Sequence, residues 1–212
     1  MRIAEKTAEI NFCAGLSRTS GFQIFWFGLT QKQEARAGFD VCTRVDGHLV
    51  LFQMKVSNNV SKRGIRRFSA PHDQMQRLRD RSGRSDRSIY YVFPEAGQTS
   101  EVCGPDCFVQ CTQLLDVACF PRTIPLPTRS DGSLRKSRIH YIDVTAGRAT
   151  VHSEPFTVSL SRASEIQLLP AFAADRTQIE SDESFADFWR FTSGVPGQRM
   201  FGAVIFRAKN QS

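Results

Sequence analysis

Two runs of strand-forming residues, Phe39–Val45 and His48–Val56, flank an Asp46-Gly47 pair, and no other feature of the chain constrains its fold as much. Asp-Gly supplies the backbone angles that a two-residue hairpin turn requires, so the two runs are expected to pair antiparallel. A turn at that place sets residue i against roughly residue 93 − i, which puts Asp40 opposite Gln53. Residues two apart on a strand share a face, so Gln53 and Lys55 project together with Asp40, and Leu49 and Leu51 can pack beneath them. An acid, an amide and an amine at one end of an otherwise apolar ribbon cost folding energy, which argues that they serve a purpose.

The flanking segments can be read in the same way. Residues 2–14 are rich in Ala and Glu and read as a helix, with Gly15 where it would stop. Gln23–Leu29 reads as a strand followed by a polar turn at Thr30–Glu34. Pro71–Asp80 has a helical pattern with Met75 and Leu78 on one face and Arg77 and Arg79 off it. Ile89–Phe93 is a compact apolar run closed by Pro94 and suits a buried strand. A further helix is expected from Pro105 to Cys119. Pro121, Pro125 and Pro127 mark a connection. Beyond it His140–Val144, Ala149–His152 and Phe156–Leu160 read as strands, Ser184–Phe191 as a helix and Arg199–Arg207 as a last strand. The order helix, strand, hairpin, helix, strand predicts a mixed sheet with helices on its faces.

Asp40, twelve intervening residues and then Gln53-Met54-Lys55 resemble the motif of the PD-(D/E)XK nuclease superfamily, in the Gln-x-Lys form of the Mrr-like restriction endonucleases. The likeness covers residues 3–95. Glu5 stands where the family carries a glutamate on its first helix, and Glu9, one turn later on the same face, is the alternative. Pro71-His72-Asp73-Gln74-Met75 resembles the Gln-bearing helix that follows the core in several branches. The resemblance implies an α/β (α+β) fold of the restriction-endonuclease-like kind, a mixed central β-sheet flanked by helices. Residues 1–120 would be the nuclease core, and residues 121–212 a C-terminal extension of strands and a helix with no motif of its own. It also implies a Mg²⁺-dependent endonuclease that hydrolyses DNA phosphodiester bonds in defence, mobile-element or repair work, with Mn²⁺ as a substitute ion. Asp40, Glu5 and the Gln53 carbonyl would hold or orient the metal and its waters, and Lys55 would position the nucleophile or offset charge on the phosphate. Gln53 replaces the acid of the best-known members, so fewer fixed negative charges face the metal. This keeps open an inactive nucleic-acid-binding module or an interaction subunit of the same fold.

Charge supports a polyanionic partner. The chain carries a net +7, and the window from Lys62 to Arg87 holds nine basic residues against three acidic ones. Clustered cations of this kind neutralise phosphates, so Lys62, Arg63, Arg66, Arg67, Gln74 and Arg77 are the expected DNA contacts. The polar N-terminus has no apolar signal region, and the apolar stretches fall short of the roughly 20 residues that span a bilayer. A cytoplasmic protein with reduced thiols and no membrane partner is expected, and a homodimer or a protein partner would suit an enzyme that cuts both strands. Cys103, Cys107, Cys111 and Cys119 lack the spacing of a metal knuckle. On one helix they would share a face with Phe108, Leu114, Leu115 and Ala118, so buried packing is expected there rather than zinc or an iron–sulfur cluster. His72, His140 and His152 show no shared ligand spacing.

Overall fold

The computed structural model describes residues 1–165, apart from 21–23, 46, 47, 58, 83–86, 103, 130, 131, 135, 146 and 153–155. In chain order the elements are α1 (Glu5–Thr19), β1 (Phe27–Gly28), α2 (Gln31–Ala37), β2 (Val41–Val45), β3 (His48–Met54), β4 (Arg66–Pro71), α3 (His72–Arg81) and β5 (Arg87–Pro94). They continue with α4 (Pro105–Gln110), β6 (Thr112–Asp116), β7 (Ile139–Thr145), β8 (Arg148–Val151), β9 (Phe156–Ser159) and β10 (Ser161–Arg162). The compact unit to which they belong runs from Met1 to Ile179. The expected helix Ser184–Phe191 and strand Arg199–Arg207 lie outside the described residues.

The protein is a mixed α/β fold. Its larger sheet has the order β1-β2-β3-β5-β6-β10. β3 and β5 are parallel and every other pair is antiparallel. Parallel neighbours need a long crossover, and residues 55–86 provide it through β4 and α3. Because both faces of β3 are covered, it reads as the nearly unbroken apolar run Leu49-Val50-Leu51-Phe52. Its alternation divides the core. Val50, Phe52 and Met54 join Ala8, Phe12 and Leu16 of α1 and Phe108 and Val109 of α4, with Phe12 edge-on to Phe52 at 5.0 Å. Leu49, Leu51 and Gln53 point to the opposite face with Tyr91 of β5, which is paired to Gln53.

The smaller sheet, β4-β7-β8-β9, is antiparallel throughout. β4 comes from before residue 120 and β7 from after it, so residues 121–165 are tied to the earlier part of the chain by a shared ladder. Among the described residues no helix is long and apolar enough to cross a membrane.

Four local expectations are corrected. Thr30–Glu34 is not a turn but enters α2, whose start is a capping box in which Gln33 Oε1 accepts from the Thr30 amide at 2.8 Å. α2 ends at Gly38, whose φ of 85° lies in the left-handed region that favours glycine. The helix expected over Pro105–Cys119 stops at Gln110, and Thr112–Asp116 becomes β6, because the apolar run Leu114-Leu115 completes the open edge of β5. Phe108 and Val109 of α4 and Leu114, Leu115 and Val117 after it are buried, whereas Cys107 and Cys111 are half-buried and Cys119 is exposed, so these three thiols do not fill the core there; Cys103 lies outside the described residues. The strand β4 was not foreseen in the basic window.

Gly15 is the fourth correction. α1 does not stop there but runs to Thr19. A Cβ at Gly15 would lie 2.4 Å from the Pro105 carbonyl oxygen and 2.4 Å from Val109 Cγ2, so the glycine lets α4 approach α1. In an ordinary helix interior Gly→Ala gains roughly 1 kcal/mol. Here Gly15→Ala is expected to lose stability, by about 1–3 kcal/mol, because backbone must move to admit the methyl group. Chemical denaturation measures this, and a gain in stability would mean that the two helices do not meet at Gly15.

Candidate functional site

β2 and β3 pair in the expected register, with Val41 against Phe52 and Val45 against His48, while the Asp46-Gly47 turn itself lies outside the described residues. Asp40 follows on in the same register, its amide donating to the Phe52 carbonyl at 3.0 Å. The Asp40 side chain then lies against the end of β3. Its Oδ2 accepts from the Met54 amide at 2.6 Å and from Gln53 Nε2 at 2.8 Å. No hydrogen-bond partner of Oδ1 is found among the described residues. Lys55 follows directly, half-buried, with its amide donating to the Val92 carbonyl at 3.0 Å.

Gln53 is 2% exposed and fully engaged. Its Nε2 also donates to the Met54 carbonyl at 3.0 Å, and its Oε1 accepts from Gln74 Nε2 at 2.8 Å. Gln74, on α3, donates as well to the Gly38 carbonyl at 3.2 Å. The amide of Gln53 therefore turns its nitrogen to Asp40 and its oxygen to α3, an arrangement that suits holding the carboxylate in place better than binding an ion directly. Two buried polar atoms beside this network, Gln74 Oε1 and Tyr91 Oη, have no hydrogen-bond partner among the described residues. Buried atoms left in this state cost about 1–3 kcal/mol each, which internal water relieves.

Charge completes the site. Burial pushes the Asp40 carboxyl up to about 7, with the Met54 amide and Lys55 pulling the other way and Glu5 and Glu34 adding to the rise. Glu5, exposed at the start of α1, is thus within electrostatic reach of Asp40. Glu9, the alternative, is buried and held by Lys6, whose Nζ donates to both of its oxygens at 2.8 Å. Glu34 lies 3.9 Å from the same ammonium, and burial pushes its own carboxyl up despite Lys6. Sequence reasoning missed Glu34 and Lys6. The signal for Glu34 was present in Thr30-x-x-Gln33, the start of a helix that carries it in its first turn. Among the described residues no three His, Cys, Asp or Glu side chains converge closely enough to hold a metal ion by themselves.

No protein-family model matches this chain, and no curated protein matches it.

The expected nucleic-acid contacts separate in space. Gln74 belongs to the Asp40 network. Lys62 and Arg63 are exposed on the loop before β4, and Arg77 is exposed on α3. Arg66 is half-buried, donates to the Ser57 carbonyl at 2.6 Å and comes within 3.8 Å of Glu101. Arg67 makes a two-pronged contact with Asp143 at 2.6 and 2.8 Å, and His152 Nε2 meets the same carboxylate at 2.7 Å. Two of the histidines without shared spacing meet across elements, with His72 Nδ1 3.0 Å from His140 Nε2. Burial, then His72, pushes His140 down to about 4, so His140 is a neutral imidazole at neutral pH.

Proposed function

We propose that the chain is a metal-dependent endonuclease of the PD-(D/E)XK kind, with a restriction-endonuclease-like core, acting on DNA. The observation that carries this reading is the Asp40 carboxylate, fixed by Gln53 and the Met54 amide through one oxygen and pushed up to about 7 by burial. A carboxylate held this way gains most from a cation.

Mg²⁺ suits such a place, since it is held by one or two carboxylates plus waters and a substrate phosphate oxygen. Three converging protein ligands are not required. Asp40 would hold it, with Glu5 reaching it through water, and a bound Mg²⁺ or Mn²⁺ would polarise the phosphate and lower the pKa of a coordinated water. The other roles belong to the chain itself. Gln53 and Gln74 fix the Asp40 rotamer, so the acid does not need to be ordered when substrate binds. Lys55, which acts electrostatically on Asp40, would offer an ammonium to offset charge developing on the phosphate. Lys62, Arg63 and Arg77 offer exposed cations for the DNA backbone, while Arg66 ties the smaller sheet to Ser57 and Glu101 and Arg67 is engaged within that sheet by Asp143.

One observation favours a second reading, a DNA-binding module without activity. The Gln53 oxygen is already engaged by Gln74, so it adds nothing to metal affinity. Cleavage of plasmid and single-stranded DNA with Mg²⁺ or Mn²⁺ separates the two. Asp40→Ala and Lys55→Ala are each expected to lower the rate by at least about 10²-fold, and EDTA to abolish it. Salt-dependent DNA binding with no cleavage by the wild type would instead establish the binding module.

A further inference from the structure

The acidic end of the site already contains a cation. Lys6 stands in the first turn of α1, and its Nζ donates to both Glu9 oxygens at 2.8 Å while lying 3.9 Å from Glu34 Oε1 on α2. The Glu9 side chain is only 10% exposed, so the ammonium takes the place of water around that carboxylate. One ammonium thus serves acids from two different helices, and both it and Glu34 lie within electrostatic reach of the carboxylate proposed to hold the metal. Two-metal phosphodiesterases place their ions about 3.5–4 Å apart between shared carboxylates. Here Glu9 and Glu34, two acids that could serve a second ion, both lie against Lys6, at 2.8 and 3.9 Å.

We propose that Lys6 acts as the built-in second cation of this site, withholding Glu9 and Glu34 from metal and limiting the site to one divalent ion at Asp40. This rests on the metal-dependent nuclease reading and deepens it. An ammonium offsets carboxylate charge as a metal ion does, but it coordinates no water and therefore provides no second nucleophile. Lys6 is a positioning residue on this account. It links α1 to α2 through Glu34 and does not engage Glu5, the acid within electrostatic reach of Asp40.

Mn²⁺ binding to the full chain, followed by electron paramagnetic resonance of the unbound ion, tests this without reference to activity. The wild type is expected to bind one ion, and Asp40→Asn none. Lys6→Met should bind a second ion, which the further change Glu34→Gln should remove, whereas Lys6→Arg should bind one. Should Lys6→Met fail to fold, Glu34→Gln alone serves, since Glu34 is only half-buried. It should leave Mn²⁺ affinity within about twofold of the wild type, while a tenfold loss would make Glu34 a ligand and overturn the proposal. Two ions on the wild type, or one on Lys6→Met at unchanged affinity, would also overturn it, with the nuclease reading intact as long as Asp40→Asn abolishes binding. A wild type that binds no Mn²⁺, or binds it regardless of Asp40→Asn, overturns the nuclease reading and this proposal together.

Discussion

Asp40→Asn should leave the protein unable to cleave DNA and, at pH 8 in EDTA, more stable than the wild type. Stability follows from the direction of the Asp40 shift. Its carboxyl titrates at about 7 in the folded chain against an ordinary value of 3.8, because burial penalises the charge. The folded state therefore binds more protons than the unfolded one between those values, and the wild type loses stability as pH rises through that window. Above pH 7 the penalty approaches its full size, on the order of 4 kcal/mol. Asparagine carries no charge to penalise, and its carbonyl can accept from both Gln53 and the Met54 amide. Thermal unfolding at pH 8 should place the variant about 10 °C above the wild type, with the gap closing as pH approaches 4. Saturating Mn²⁺ should narrow the gap at pH 8 from the other side, by about 2.7 kcal/mol at a hundredfold excess over Kd, by stabilising the wild type alone. An Asn variant that is less stable at every pH would show that Asp40 is not a strained acid, and the main argument for a cation there would be gone.

Gln53→Glu should have the opposite effect on stability. It introduces the acid of the motif that the sequence resembles but puts a second carboxylate where Nε2 now donates to Asp40 Oδ2 at 2.8 Å, in a position 2% exposed. Two carboxylates at that distance cannot both ionise without a cation, and the bond from Gln53 to the Met54 carbonyl is lost as well. In EDTA at pH 8 the variant is expected to be destabilised by about 3 kcal/mol, a loss that shrinks on acidification as the pair takes up a shared proton. Divalent ions should reverse the loss, and Mn²⁺ affinity should rise at least about tenfold because a second fixed charge now faces the ion. Unfolding curves with and without Mn²⁺ read both effects. Equal stability of the two proteins in EDTA would mean that Gln53 and Asp40 do not touch as described.

The contrast between these variants gives the Gln-x-Lys form a physical rationale. Gln53 is a neutral donor to Asp40 on one side and an acceptor from Gln74 on the other, so the acid is held without adding charge. A carboxylate at position 53 would bind metal more tightly but would make the metal-free fold depend on it.

Some of this was legible from residue order because it is local. The hairpin register follows from the turn and the strand patterns, and it carries Asp40, Gln53 and Lys55 to one place. α3 and β5 were legible for the same reason, since a helical or compact apolar pattern is complete within ten residues or so. Other features depend on partners far away in the chain. β4 carries Arg66 and Arg67 and resembles a strand only when β7 is there to pair with it. Thr112–Asp116 reads as helix or strand until the open edge of β5 selects one. Gly15 reads as a helix stop until Pro105 and Val109 press against it. Local pattern alone could set the hairpin's register, because a strand's side-chain period and a tight turn act over few residues. Only the tertiary structure could bring Glu34, Lys6 and Gln74 to Asp40, because their packing and charge contacts join helices whose approach no local pattern specifies.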